Sequence, residues 1–599
     1  MVAKSLSSTM KHSAKHRKGI YIKTAPQEED EMECKDADVQ HKSKTSEVWL
    51  PESSTAFRLL MSAHLCSALL NNVTDCDETY NYWEPLHHLM AGEGFQTWEY
   101  SPEYAIRSWA YIYLHYLLTW VHFGFLNNKL LTFYFIRMML ALFCTLSEVH
   151  FYKGVALRFG NNVARMVLAF LVFGTGMFIS STALLPSSFC MYMTLLFVGS
   201  WLQGQLHVAI LCVAAGAIIG WPFSVALGIP LAVDVILRRQ KYIFFLKWCA
   251  VALIGMQLPC FLIDSYHYGK PVVASINILL YNVFTEHGPD IYGTEPFSYY
   301  FVNGFLNFNI VFVLALFAFF AVPLCEATIK LKYSGYKPPF LLLSFMLSPM
   351  YIWMLIFFTR PHKEERFLYP IYPLICLAAA LTVATFQKLY CVFKLHKHLS
   401  EQCMAMAVLV LYILLSLSRS FALVQGYHGS MDIYPKMHQI AGKIDSSYKN
   451  IKVCIGKEWY RFPSNFFLPE NFQLEFIESE FRGQLPQPFA AAGREGTRAV
   501  RKNFNERNLE EKSRYISVDV CHFLIDFNNG LSTKHEPVFA DDHDKWKVVE
   551  EVPFLNVHNS TSPLFRAFYI PTYFWRVNNF GKYQLLQSKK NRLKKSKRN

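Results

Sequence analysis

The chain is 599 residues long, 52% hydrophobic and 16% aromatic, with only 17% charged residues. A soluble protein carries about 25% charged residues, so an ordinary globular enzyme is excluded. The net charge of +13 does not mark a nucleic-acid binder, because the basic residues sit in tails and short loops suited to solvent or a membrane surface.

Residues 1–55 are polar and rich in Lys and His, with no apolar h-region, which predicts a disordered cytosolic tail and no cleaved signal peptide. Apolar runs then recur at lengths that suit membrane spans, for which roughly 20 apolar residues are needed. Spans are expected near 56–71, 131–148, 164–184, 189–203, 206–220, 222–236, 243–264, 306–325, 339–359, 367–387 and 404–424. These eleven spans put four basic connectors on the side of the N-terminal tail, as the positive-inside rule requires. Those connectors are Lys153/Arg158/Arg165, Arg238/Arg239/Lys241, Lys330/Lys332/Lys337 and Lys388/Lys394/Lys397. Ser108–Leu126 is also apolar, but counting it as a span reverses that order. Its Trp109, Tyr111, Tyr113, His115, Tyr116, Trp120 and His122 suit the headgroup level, so an interfacial helix is expected there.

The opposite, non-cytosolic face then gathers 72–130, Leu185–Phe189, 265–305, 360–366 and everything after about 425. Residues 72–108 hold seven acidic residues and one basic residue, Arg107, which supports this orientation separately. Most of the fourteen cysteines lie in apolar segments and fit no metal-ligand spacing. Cys454 and Cys521 are candidates for a disulfide if their region faces an oxidising compartment. Residues 426–580 read as a compact mixed domain, with "NIKVCIG", "YISVDVCHFLIDF" and "KWKVVEEV" as strands. Residues 581–599 read as a basic tail, and the ending Lys595-Ser596-Lys597-Arg598-Asn599 has dilysine-signal spacing that a non-cytosolic end makes coincidental.

Three stretches on that face carry chemistry. "TDCDETYNYWEP" (Thr74–Pro85) sets Asp75, Asp77, Glu78 and Glu84 among aromatics beside the membrane, where charge is costly. "TRPHKEERFLYP" (Thr359–Pro370) places Arg360, His362, Lys363, Glu364 and Arg366 in a short connector. It reads either as a salt-bridged turn or as an anion site suited to a lipid phosphate. "DSYHYGK" and "YNVFTEHGPDIYGTEPFSYY" form a polar, aromatic wall, either a sugar-binding surface or a packed cover over helix ends. Carboxylates, cations and aromatics on one face fit group transfer from a phosphate-linked lipid donor to a polar acceptor. A transporter or scramblase would show internal repeats and mid-span charges, and neither is evident.

These residues resemble glycosyltransferase family 22, membrane mannosyltransferases of the GT-C fold. The likeness rests on "CDETYNYWEP", "GEGFQTWEYSPEYAIRS", "LLPSSFCMY", "GWPFSVALG", "DSYHYGK", "PHKEERFLYPIYPLICL" and "GKEWYRFPSNFFLP". It covers roughly 56–580 and looks closest to the family's asparagine-linked glycosylation branch. The resemblance implies a polytopic α-helical protein of the endoplasmic reticulum membrane, with a luminal active site and a soluble luminal domain. It implies an α-1,2-mannosyltransferase that moves mannose from dolichyl-phosphate mannose to a dolichyl-diphosphate oligomannose by a single inverting displacement. A glycolipid-anchor mannosyltransferase is the alternative within the family.

Carried over, the family's first-loop carboxylates fall on Asp77, as the base, and Glu78, as the alternative base or an acceptor-binding group. Many relatives read His-Pro-Asp-Glu where this chain has Asp75-Cys76-Asp77-Glu78. Asp75 and Glu84 are expected to bind substrate, as are Tyr268 and Tyr292. His362, Lys363 and Arg366 are expected on the donor phosphate, with Glu364 orienting one of them. No metal or other cofactor is implied, although Asp75-Cys76-Asp77 has a weak DxD-like spacing. Sequons occur at Asn72 and Asn559; Asn72 is too near the membrane, so Asn559 is the expected glycan acceptor.

Overall fold

The computed structural model describes residues 49–284, 289–398, 400–445, 447–591 and 593. Nearly all of the expected N-terminal tail, and the Lys595–Asn599 ending, lie outside them. Helices occupy all of the expected span segments. Six stretches among the described residues are long and apolar enough to cross a membrane: Lys129–Phe173, Tyr242–Tyr268, Tyr299–Lys332, Phe340–Phe358, Glu365–Val392 and Glu401–Tyr427. The expected spans 131–148 and 164–184 fall on two helices that meet at a kink, and their basic connector is helical as far as Gly160. There φ reaches 79° and the chain turns, a conformation glycine tolerates without steric cost.

Burial sorts these helices. Glu365–Val392 is almost wholly enclosed, whereas Tyr242–Tyr268 and Glu401–Tyr427 leave most of their apolar surface uncovered. In water such surface would be unstable; around a membrane bundle it is where lipid packs. Trp109–Leu126, the expected interfacial helix, is helical throughout and exposes Leu114, Leu117 and Trp120. Its first backbone N–H groups are met by the buried Asp264 carboxylate, 2.7 Å from Trp109 N, an acidic cap that favours the helix start.

Among the described residues seven strands occur: β1 (Phe95–Gln96), β2 (Ile451–Ile455), β3 (Phe472–Phe476), β4 (Gln487–Pro488), β5 (Phe523–Asn528), β6 (Trp546–Leu555) and β7 (Phe580–Ser588). Five form one sheet of order β3-β2-β5-β7-β6, parallel across β3-β2-β5 and antiparallel across β5-β7-β6. Cys454 on β2 and Cys521 just before β5 are joined as a disulfide. The domain boundary expected at 580 is corrected, because β7 runs to Ser588 between two partners and belongs inside the sheet. The remaining pair, β1 with β4, sets Phe95 opposite Pro488 and Gln96 opposite Gln487. It ties the first loop to the C-terminal region, so the sheet domain and the helices enclose one site.

Candidate active site

The first loop leaves the Ser53–Leu70 helix where the buried Arg137 donates to Asn71 O at 2.7 Å and Ser67 O at 3.2 Å. Those bonds satisfy carbonyls that a helix end leaves open. Asp75 then caps a short turn by accepting from the Asp77 N–H at 2.9 Å. The turn widens into a π-helical stretch over Thr79–Trp83, a feature that recurs at functional sites. Tyr80, Tyr82 and Trp83 are buried, and anchoring these rings leaves Asp77 at the wall of a cavity of about 770 Å³.

Asp77 is held by two guanidiniums. Arg366 Nη2 lies 2.6 Å from its carboxylate and Arg107 Nη2 lies 3.4 Å away. Arg366 also meets Asp75 at 3.1 Å and pairs with Glu364. Arg107 meets Glu99 at 2.8 Å and donates to the Tyr82 hydroxyl at 2.8 Å. Burial works to raise the Asp77 carboxyl, but Arg366 and Arg107 prevail and hold it below the ordinary aspartate value. Asp77 is thus ionised at neutral pH, open to the cavity, and able to take a proton. Asp75 has one guanidinium against its burial and two neighbouring carboxylates, and it is pushed up to about 7.

His362 lines the same cavity. Its Nδ1 faces Gly293 O at 2.8 Å and its Nε2 faces Glu364 Oε1 at 3.0 Å. Two oxygen acceptors need two N–H donors, which only the imidazolium has. Burial opposes that charge, but Glu364 outweighs it and the pKa rises. Glu364 orients both His362 and Arg366. Tyr292 lines the cavity beside His362, with ring centroids 6.5 Å apart.

Other expected residues fall elsewhere. Glu78 is buried and accepts from Trp83 Nε1 at 3.0 Å and Leu184 N at 2.9 Å. It does not line the cavity, and both bonds fix the base of the loop. Glu84 is fully buried and accepts from Phe95 N, Ser464 Oγ, Asn465 N and Asn465 Nδ2. Its carboxylate pins the loop to the C-terminal region, away from any substrate. Tyr268 is buried with its hydroxyl donating to Arg107 O at 2.6 Å, so it supports Arg107 from behind. Lys363 is buried too, and its Nζ donates to Glu295 O at 2.9 Å, which turns its charge away from the cavity. Asn72 is buried against Leu423 O, whereas Asn559 is exposed.

Several cavity residues escaped the sequence reading. Arg107 carried a signal, as the lone cation of an acidic loop. Trp221 marks the break between two apolar segments and packs on Phe367 at 5.0 Å and Phe357 at 5.1 Å. Trp98, Glu99, Trp459 and Phe481 join the walls, as does Arg360 from the cationic connector singled out in the sequence; Trp98, Glu99 and Trp459 lie in stretches that carry the family resemblance, but no role was read for them. Asp75, Cys76 and Asp77 bring possible metal-ligand atoms within 4.8 Å of one another, yet both carboxylates already serve Arg366.

A family model described as "Alg9-like mannosyltransferase family" matches residues 55–469. The chain belongs to the Alg9-like mannosyltransferase family. Human alpha-1,2-mannosyltransferase ALG9 is 49% identical over 561 residues, covering 92% of this chain and 91% of that protein. The Drosophila melanogaster alpha-1,2-mannosyltransferase Alg9 is 41% identical over 91% of this chain and 88% of its own. Among solved structures, ArnT from Cupriavidus metallidurans bound to undecaprenyl phosphate is 12% identical, with a TM-score of 0.47 over 71% of this chain and 86% of that chain. As an Alg9-like mannosyltransferase, the chain is a multi-pass membrane glycosyltransferase with a C-terminal sheet domain, and the transporter and scramblase readings fall away.

Proposed function

We propose that the cavity transfers mannose from dolichyl-phosphate mannose to a 2-hydroxyl of a dolichyl-diphosphate oligomannose, on the luminal face of the endoplasmic reticulum membrane. The observation that carries the reading is Asp77, an ionised carboxylate open to the cavity and clasped by Arg366 and Arg107. Asp77 takes the proton of the acceptor hydroxyl as its oxygen attacks the anomeric carbon from the face opposite the phosphate. The anomeric carbon–oxygen bond breaks, the electron pair leaves with dolichyl phosphate, and the β-linked donor becomes an α-linked product. Such general-base catalysis contributes typically 10²–10⁴-fold.

The leaving phosphate meets Arg360, with the His362 imidazolium adding positive charge at the same wall. Arg366 is bound by three carboxylates and its charge is already offset. Arg360 lines the cavity with no carboxylate partner among the described residues. The reaction needs no metal on this reading, because a guanidinium already bridges the two aspartates that could hold one. Purified protein given dolichyl-phosphate mannose and defined lipid-linked oligomannoses is expected to add mannose in the presence of a chelator. Asp77→Asn is expected to lower kcat by about 10²–10⁴-fold with the fold intact. Undiminished transfer by that variant would remove Asp77 from the role of base.

A further inference from the structure

The cavity has two chemically different walls. Trp221, Phe223, Ile356, Phe357 and Phe367 line one of them from the ends of the apolar helices, a surface that suits a prenyl chain. The other comes from the C-terminal region, where Trp459 and Phe481 meet at 4.6 Å with their rings tilted by 42°, and Asn508 joins them. Between the two walls stand Asp77 and its arginines.

We infer that Trp459, Phe481 and Asn508 form the subsite for the acceptor's oligosaccharide, and so set acceptor specificity. The inference rests on the proposed transfer reaction and adds to it which wall reads the glycan. Sugars present a C–H face to aromatic rings and hydroxyls to amides, and this wall offers both. The Trp459 ring is half-buried between Tyr80, at 6.0 Å, and Phe481. Among the described residues its indole N–H meets no acceptor, although it lines an open cavity.

Asn508 is oriented in an unusual way. Its φ is 52°, a left-handed conformation that asparagine adopts more readily than most residues. Its Oδ1 accepts from Gln484 N at 2.9 Å, which fixes the amide plane. The Nδ2 group is then left as a donor with no partner among the described residues. Gly483 makes the arrangement possible. A Cβ there would lie 2.3 Å from the Phe481 ring and 2.7 Å from Asn508 Oδ1, so any larger residue pushes both groups off their positions. A lipid-linked acceptor is a large, branched saccharide, and a wall formed by the domain outside the helices is where such a chain has room.

The test is steady-state transfer with donor and acceptor varied separately. Asn508→Asp keeps the oxygen that accepts from Gln484 and removes the Nδ2 donor. Trp459→Phe keeps a ring and removes the N–H. Each is expected to raise the acceptor KM about fivefold, the worth of one hydrogen bond, and to leave the donor KM within about twofold. Gly483→Ala, which displaces both groups, is expected to raise the acceptor KM further. Thermal midpoints measured alongside separate binding from folding. A fall in the midpoint with no split between the two KM values would overturn the assignment, as would an equal rise in both. If the parent protein transfers mannose and the variants match it, the subsite is wrong and the reaction stands. If the parent protein transfers none, the underlying reaction is wrong.

Discussion

Arg366 Nη2 lies 2.6 Å from the Asp77 carboxylate, although the two residues are far apart in the chain. The contact fastens the first loop to the first turn of the most enclosed helix. It also holds a carboxylate in its ionised form beside the cavity, so one guanidinium serves both architecture and chemistry.

Removing that guanidinium changes a pH profile. With Arg366 and Arg107 in place, the Asp77 pKa is depressed, so its loss of activity as pH falls begins below the ordinary aspartate range. Arg366→Gln removes a charge that favours the carboxylate, and the pKa must rise. The acid limb of kcat/KM is therefore expected to move to higher pH in that variant. An unmoved limb would mean that a different group titrates.

Asp75 bears on stability with the opposite sign. Burial raises it from 3.8 to about 7 in the folded protein, so between those values the folded state holds a proton that the unfolded state has released. Stability must then fall as pH rises through that window. Asp75→Asn cannot ionise yet still accepts from the Asp77 N–H. Its thermal midpoint in detergent is expected to decline less than that of the parent protein from about pH 5 to pH 8. Parallel curves would contradict the assignment.

Glu84 predicts a folding defect. Four donors converge on its buried carboxylate, and Glu84→Ala would leave them without a partner. Buried unpaired donors cost about 1–3 kcal/mol each, and with partial relaxation a loss of about 3 kcal/mol is expected. The readout is a lower thermal midpoint in size-exclusion profiles. Full stability with abolished transfer would instead return Glu84 to a substrate-binding role.

Topography has its own test. Asn559 is exposed and Asn72 is buried, and a glycan can be attached only to an accessible luminal asparagine. Expressed in microsomes, the protein is expected to lose one endoglycosidase-sensitive glycan on Asn559→Gln and none on Asn72→Gln. An unglycosylated Asn559 would contradict the expected glycan and withdraw its support for a luminal sheet domain.

The family-bearing motifs, the gathering of the loops on one face and the polytopic class were legible in the sequence, because each depends on local composition. Apolar length marks a membrane helix wherever the helix packs, and charge asymmetry orients it. Even the pairing of Cys454 with Cys521 could be framed, since it needed only a shared compartment. Which carboxylate faces substrate could not be read that way. Asp77 and Glu78 are adjacent and chemically alike, yet one meets two arginines at a cavity wall while the other is spent on Trp83 and Leu184. Lys363 and Arg366 likewise look equally free in sequence, and one ends on a backbone carbonyl and the other on three carboxylates. Those outcomes depend on partners from other loops and helices, such as Leu184 for Glu78, Glu295 for Lys363 and Asp75 for Arg366, and only the folded chain brings them within hydrogen-bond reach.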